Sequence, residues 1–174
     1  SPLALMEEDL PRIREEYDRL AAAYMERHRA GRGFFFFHFN MDLSNGPCVA
    51  KRLSGCGAGH EYFAVAENGD LYPCHQFVGR KRYKLGSIYD GVTDEELPPY
   101  FRESHVLNKE KCADCWARFF CSGGCHANAD LFHGDIRKPY EVGCEIQKKR
   151  LECALYVQAL LALEKEEQVQ AAAL

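Results

Sequence analysis

Several features that would each point to a class of protein are missing from this chain. It has no run of about 18 apolar residues, so no segment is long and apolar enough to cross a bilayer as a helix. The run "FFFF" at positions 34–37 is far too short for that. No stretch follows the basic, apolar, small-residue order of a secretory signal. Basic charge is not in excess: the formal net charge is −4, which provides no field to recruit nucleic acid or an anionic membrane. There are no internal repeats and no low-complexity tract. The opening "SPLALMEED" has no initiator methionine, which reads as a piece cut from a longer polypeptide. The expected compartment is the cytoplasm.

What the chain has in quantity is cysteine, nine in 174 residues. The length suffices for a real core, since such a chain buries roughly 70% of its unfolded surface. Without a secretory signal the thiols point away from disulfides. They point toward thiolates that bind metal or do redox chemistry.

The pattern between the cysteines suggests mixed α and β structure. Residues 10–30 read as an amphipathic helix with Ile13, Tyr17, Leu20, Tyr24 and His28 on one stripe. Asp9 is placed to cap its start and Gly31 to end it. His28 reads as structural. "FFFFHFN" (34–40) has almost no polar alternation and predicts a strand buried on both faces. "EYFAVAENGDLYP" (61–73) holds two β-rich runs around Asn68-Gly69, which predicts a hairpin with a type I′ turn. Residues 79–104 read as a polar connector with one acidic helical turn, broken at Pro98-Pro99. Residues 144–170 predict a second long helix with Ile146, Cys153, Val157 and Leu160 on one stripe, and the terminal "AAAL" is expected to fray.

The cysteines sort by context. Cys56 precedes the predicted hairpin and Cys74 follows it, so the hairpin returns one toward the other. Cys112, Cys115, Cys121 and Cys125 have the spacing C-x2-C-x5-C-x3-C. Cys144 stands at a helix start, where the helix dipole favours a thiolate. Cys48 follows a Gly-Pro loop. These make two sets of four, whereas Cys153 lies mid-helix on an apolar stripe and reads as an inert core thiol. Zinc and iron–sulfur clusters both take four thiolates. The spacing is not the usual zinc pattern of two C-x2-C knuckles separated by a dozen or more residues. Gly123 and Gly124 let backbone amides approach sulfur closely, which tunes a cluster's potential.

These residues resemble the SPASM domain, the auxiliary-cluster domain of radical SAM peptide-modifying enzymes. The family pattern is C-x(9–15)-G-x4-C, then C-x2-C-x5-C-x3-C, then C. Cys56, Gly69, Cys74, Cys112, Cys115, Cys121, Cys125 and Cys144 match it in order. The strings "SGCGAGHEYFAV", "GDLYPCHQFVG" and "CWARFFCSGGCHANA" are similar to the maturases of SCIFF peptides, which join a peptide cysteine sulfur to the α-carbon of a threonine.

The resemblance implies an α+β fold: a small cysteine-rich SPASM domain with a β-hairpin, cluster-binding loops and helices. A terminal helix–strand remnant of the radical SAM partial barrel would precede it. Expected boundaries are 1–45 for the remnant, 46–150 for the SPASM domain and 151–174 for a C-terminal helix. The resemblance assigns Cys56, Cys74 and Cys125 to a first 4Fe-4S cluster, with Cys48 as a possible fourth ligand. It assigns Cys112, Cys115, Cys121 and Cys144 to a second. His75 and His126 adjoin ligands and suit structural hydrogen bonds or donation to cluster sulfur. Trp116, Phe119 and Phe120 suit packing or shielding of the second cluster.

The motif C-x3-C-x2-C that binds S-adenosylmethionine in that superfamily is absent: Cys121 and Cys125 have its first spacing, but Asn128 stands at the third position. S-adenosylmethionine and a third 4Fe-4S cluster are therefore expected in the missing part of the parent, this stretch alone is expected to be inactive, and no catalytic residue is assigned to it. The implied partners are a cysteine-rich precursor peptide and the radical SAM core domain of the same polypeptide, with no nucleic acid and no membrane. Zinc is an expected substitute in aerobic preparations. A zinc-stabilised binding module and a ferredoxin-like electron carrier are the alternative readings.

Overall fold

A computed structural model describes residues 4–43 and 46–172. Secondary structure among the described residues is mixed: seven α-helices, α1 Leu10–Arg29, α2 Val49–Leu53, α3 Leu97–Glu103, α4 Glu110–Ala113, α5 Arg118–Cys121, α6 His126–His133 and α7 Glu141–Ala172, with three single-turn 3-10 helices and four short strands among them. The strands are β1 Ala64–Val65, β2 Asp70–Tyr72, β3 Gly86–Ser87 and β4 Gly91–Val92. The class is α+β, and no described helix is long and apolar enough to cross a membrane. The chain divides into two units: residues 1–46 with 141–174, and residues 47–140.

In the first unit α1 packs along α7. Ala21, Tyr24 and Met25 of α1 meet Cys153, Ala154 and Val157 of α7 around Phe39. Exposed ion pairs flank that seam, Arg14–Glu145 at 2.7 Å and Arg29–Glu164 at 2.6 Å; pairs of this kind contribute little. α1 ends as its glycine predicts. The amide of Gly31 donates to the His28 carbonyl and that of Arg32 to the Arg27 carbonyl, the two bonds of a Schellman cap. Asp9 does not cap the helix; its carboxylate accepts the Met6 amide instead, at 2.8 Å. His28 is exposed, because the buried stripe runs through Ala21, Tyr24 and Met25 and turns away from it.

Residues 34–40 do not form the expected strand. A strand needs a hydrogen-bonding neighbour, and among the described residues none lies beside them. The segment turns back on itself, with the amides of Phe39 and Asn40 both donating to the Phe36 carbonyl. Phe39 is buried, whereas Phe35 is 79% exposed and Phe37 64%. Gln158 of α7 fixes this turn by donating to the carbonyls of Phe39 and Met41, at 3.0 and 2.7 Å. α7 is one continuous helix, so the expected boundary at 150 falls inside it. Of the "AAAL" end, residues 173–174 lie outside the described residues.

The second unit carries the sheet, an antiparallel meander in the order β1-β2-β3-β4. The first hairpin is where the sequence puts it, with Val65 opposite Leu71. Its turn is not type I′, since only Gly69 of the pair has positive φ (85°). The Gly69 amide returns to the Ala66 carbonyl and the Ala66 amide to the Asp70 carbonyl, a three-residue loop closed by a left-handed glycine. Residues 79–104 are more than a connector. They hold a second hairpin, β3–β4, whose strands are too short and glycine-rich to show an alternating pattern. Pro98-Pro99 does not break a helix either. It lies in the first turn of α3, where the missing amides would have had no partner.

Phe77, Tyr83, Phe101 and Ile136 form the core of this unit, with Tyr72, Cys74 and Ala127 beside them. The rings of Phe77 and Tyr83 lie 4.4 Å apart, and Phe101 meets Phe77 edge-on at 5.4 Å. Asp130 ties α6 to this core by accepting from the Tyr83 hydroxyl and from Arg80 Nη1, the latter at 2.6 Å. These contacts hold the loops on which the cysteines sit.

Candidate functional site

Cys56 and Cys74 are brought together by the first hairpin. The Gly59 amide donates to the carbonyls of Tyr62 and of Pro73, the residue before Cys74. Cys125 joins them from another direction: it stands at the N-cap of α6, and Ala127 packs in the same core as Cys74. Burial and then the fields of Cys56, Cys74 and Cys125 push the Tyr62 hydroxyl above the usual tyrosine range, so all three thiols lie within electrostatic reach of one phenol. Cys56 and Cys125 are exposed and Cys74 is buried. Burial raises the Cys74 thiol, while the amides of Gln76 and Phe77 oppose that shift without forming a capping hydrogen bond.

Cys112, Cys115 and Cys121 form a second neighbourhood through consecutive tight turns. The Cys115 amide donates to the Cys112 carbonyl at 3.1 Å, and the Cys121 amide to the Ala117 carbonyl at 2.9 Å. The Arg118 guanidinium closes the loop on the Ala113 carbonyl at 2.7 Å. Burial raises the Cys112 thiol, with the Lys109 cation opposing and Cys121 and Cys115 adding to the rise. Cys144 is half-buried in the first turn of α7 and belongs to the other unit.

Cys48 is exposed at the N-cap of α2. Lys51, on that helix, pairs with Glu61 and feels the fields of both Cys48 and Cys56. None of the nine cysteines is in a disulfide. Cys153 is buried on α7 with its thiol raised by burial, as a core residue should be.

The two loop systems meet at a buried lysine. Lys109 is 1% exposed, and its Nζ donates to the Gly123 carbonyl at 2.8 Å, in the loop between Cys121 and Cys125. Its own carbonyl accepts the amides of Cys112 and Ala113 and so starts α4. Burial lowers its pKa, and Cys112, Cys121, Cys56 and Cys125 oppose that shift. A buried ammonium needs anionic charge beside it. Thiolates would supply that charge.

The remaining expected neighbours are mixed. His126 is buried, its Nδ1 has no hydrogen-bond partner, and burial followed by the Lys109 charge lowers its pKa to about 4. His75 is exposed. Trp116 is 51% exposed and Phe119 and Phe120 are also at the surface, so they do not pack a core. Sequence reasoning missed Lys109 and Tyr62. Nothing in "NKEKC" (108–112) separates a buried lysine from a solvated one.

In donor chemistry both neighbourhoods suit a thiolate-bound centre, zinc or iron–sulfur. Among the described residues, no three Cys, His, Asp or Glu side chains stand close enough to hold a metal ion as they are. The two groups are therefore gatherings of thiols on neighbouring loops rather than closed coordination shells. Fold and site together define a cysteine-rich α+β protein with two thiol groups around a buried lysine.

No family model matches the chain. It is similar to an uncharacterized protein of Archaeoglobus fulgidus, 32% identical over 101 residues, covering 56% of this chain. The chain spans only 24% of the length of that relative.

Proposed function

We propose that this chain is the auxiliary iron–sulfur domain of a radical SAM peptide maturase, of the kind that forms Cys-to-Thr α-carbon thioether crosslinks in SCIFF-type peptides. One coincidence carries the reading. Family spacing assigns Cys56, Cys74 and Cys125 to one cluster and Cys112, Cys115 and Cys121 to the other. The electrostatic neighbourhoods around Tyr62 and Cys112 divide the same thiols the same way. The same family spacing gives Cys144 to the second set, and Cys48 is the candidate fourth ligand of the first.

The chain's own residues have distinct tasks under this reading. Cys74 anchors the first group against the core, while the exposed Cys56 and Cys125 leave it open to an approaching peptide thiol. Tyr62 flanks that approach, 44% exposed. A 4Fe-4S cluster held there would supply a one-electron acceptor and, with an open iron, a site for the peptide's thiolate. Holding that thiolate in place converts an encounter into an oriented reaction. Cleavage of S-adenosylmethionine and its own cluster would belong to the radical SAM core domain, and the precursor peptide would be the substrate.

Iron and sulfide analysis tests the reading. Anaerobic reconstitution should load about eight iron and eight sulfide per chain, as two four-iron clusters require. Binding of zinc with no uptake of sulfide under the same conditions would favour the binding-module alternative and refute the proposal.

A further inference from the structure

We propose that Lys109 is a counter-cation shared by the two thiol groups, so that one buried charge sets the electrostatics of both centres. The inference rests on the reading that these thiols hold metal, and goes beyond it by naming a residue outside the ligand set.

Three observations carry it. Lys109 is 1% exposed, yet it has no carboxylate partner among the described residues, and its Nζ has one hydrogen-bond acceptor, the Gly123 carbonyl at 2.8 Å. That acceptor is neutral, and a lone carbonyl does not balance a buried ammonium. The thiols that act on it electrostatically come from both groups: Cys112 and Cys121 from one, Cys56 and Cys125 from the other.

Its position makes the sharing a property of the fold. The Lys109 backbone carbonyl starts the helix that bears Cys112, and its side chain reaches the loop that joins Cys121 to Cys125. The Gly55 amide, next to Cys56, donates to the Ser122 carbonyl of the same loop at 3.4 Å. Gly123 has φ of +86°, the left-handed backbone that favours glycine, and this turns its carbonyl-bearing loop past the lysine, whose Nζ lies 3.5 Å from where a Cβ would stand.

A thiolate-bound metal centre is net anionic, and reduction makes it more so. A buried cation beside it therefore raises its reduction potential and strengthens metal binding. One cation between two centres does this to both.

The test compares the native chain with Lys109→Met and Lys109→Arg after anaerobic loading with iron and sulfide. Redox titration followed by electron paramagnetic resonance should find both midpoint potentials lower in Lys109→Met and returned toward native in Lys109→Arg. A purely structural lysine would leave the potentials of the folded variant unchanged, and that result overturns the proposal. So does a shift confined to one centre. Should Lys109→Met not fold, the native protein answers with lysine labelled by nitrogen-15. The Lys109 Nζ resonance should be displaced on reduction of each centre, and displacement by one alone overturns the sharing.

Failure of the functional reading has a different signature: no sulfide is taken up and zinc binds. The proposal is then tested by zinc competition. The expected loss in Lys109→Met is about tenfold in affinity at both groups, and unchanged affinity refutes it.

Discussion

Gly59→Ala probes the joint that brings Cys56 to Cys74. Gly59 has φ of +79°, and a Cβ on it would stand 2.8 Å from Cγ and 3.1 Å from Cβ of Phe101. Phe101 is fully buried against Phe77 and Tyr83 and cannot yield without disturbing them. Left-handed strain on a side chain costs about 1–2 kcal/mol. Forcing a methyl into a packed core adds about 1–3 kcal/mol. The expected loss is thus about 2–5 kcal/mol, or a fall in Tm of roughly 5–15 °C for a chain of this size. Gly79→Ala is the control: its φ is +82°, but a Cβ there meets nothing within 4 Å, so only the strain remains. Thermal and urea unfolding followed by circular dichroism measure both variants. Iron analysis should find the first centre impaired in Gly59→Ala and the second retained, because Gly59 bonds to Tyr62 and Pro73 and to nothing near Cys112. If Gly59→Ala costs no more than Gly79→Ala, the packing of this joint against Phe101 is not what holds it.

Two further outcomes are expected. Cys153→Ala should leave iron and sulfide content unchanged and cost about 1 kcal/mol by opening a small cavity between α1 and α7; loss of iron would make Cys153 a ligand. Asp135 gives an acid dependence: although burial opposes it, the Arg137 amide and guanidinium and the Tyr100 hydroxyl lower its pKa from 3.8 to about 2. A depressed carboxyl stabilises the fold above its unfolded pKa, and that contribution disappears as pH falls from about 4 to about 2. Asp135→Asn should therefore be less stable than the native chain by about 2 kcal/mol near neutral pH, with the gap in urea midpoint closing across that acid window. A gap independent of pH would refute the assignment.

Local chemistry alone determined several features here. The helix over Leu10–Arg29 follows from its apolar stripe and its terminal glycine, and the hairpin around Gly69 from β-rich runs on either side of a turn. The burial of Cys153 against α1 followed from its place on a helical stripe. Such signals lie within a few residues of one another, so a linear reading can find them. Features that depend on distant partners were decided by the tertiary structure. The apolar run at 34–40 has the composition of a strand, but a strand is a property of two segments, and here the backbone turns at Phe36 instead. Pro98-Pro99 looks like a stop and is a start, because proline's effect depends on which side of it the helix grows. Most of all, Lys109 looks like any other charged residue in "NKEKC". Only the folding of the Cys112–Cys125 loops around it makes it a buried cation, since burial is conferred by chain segments that the local sequence does not contain.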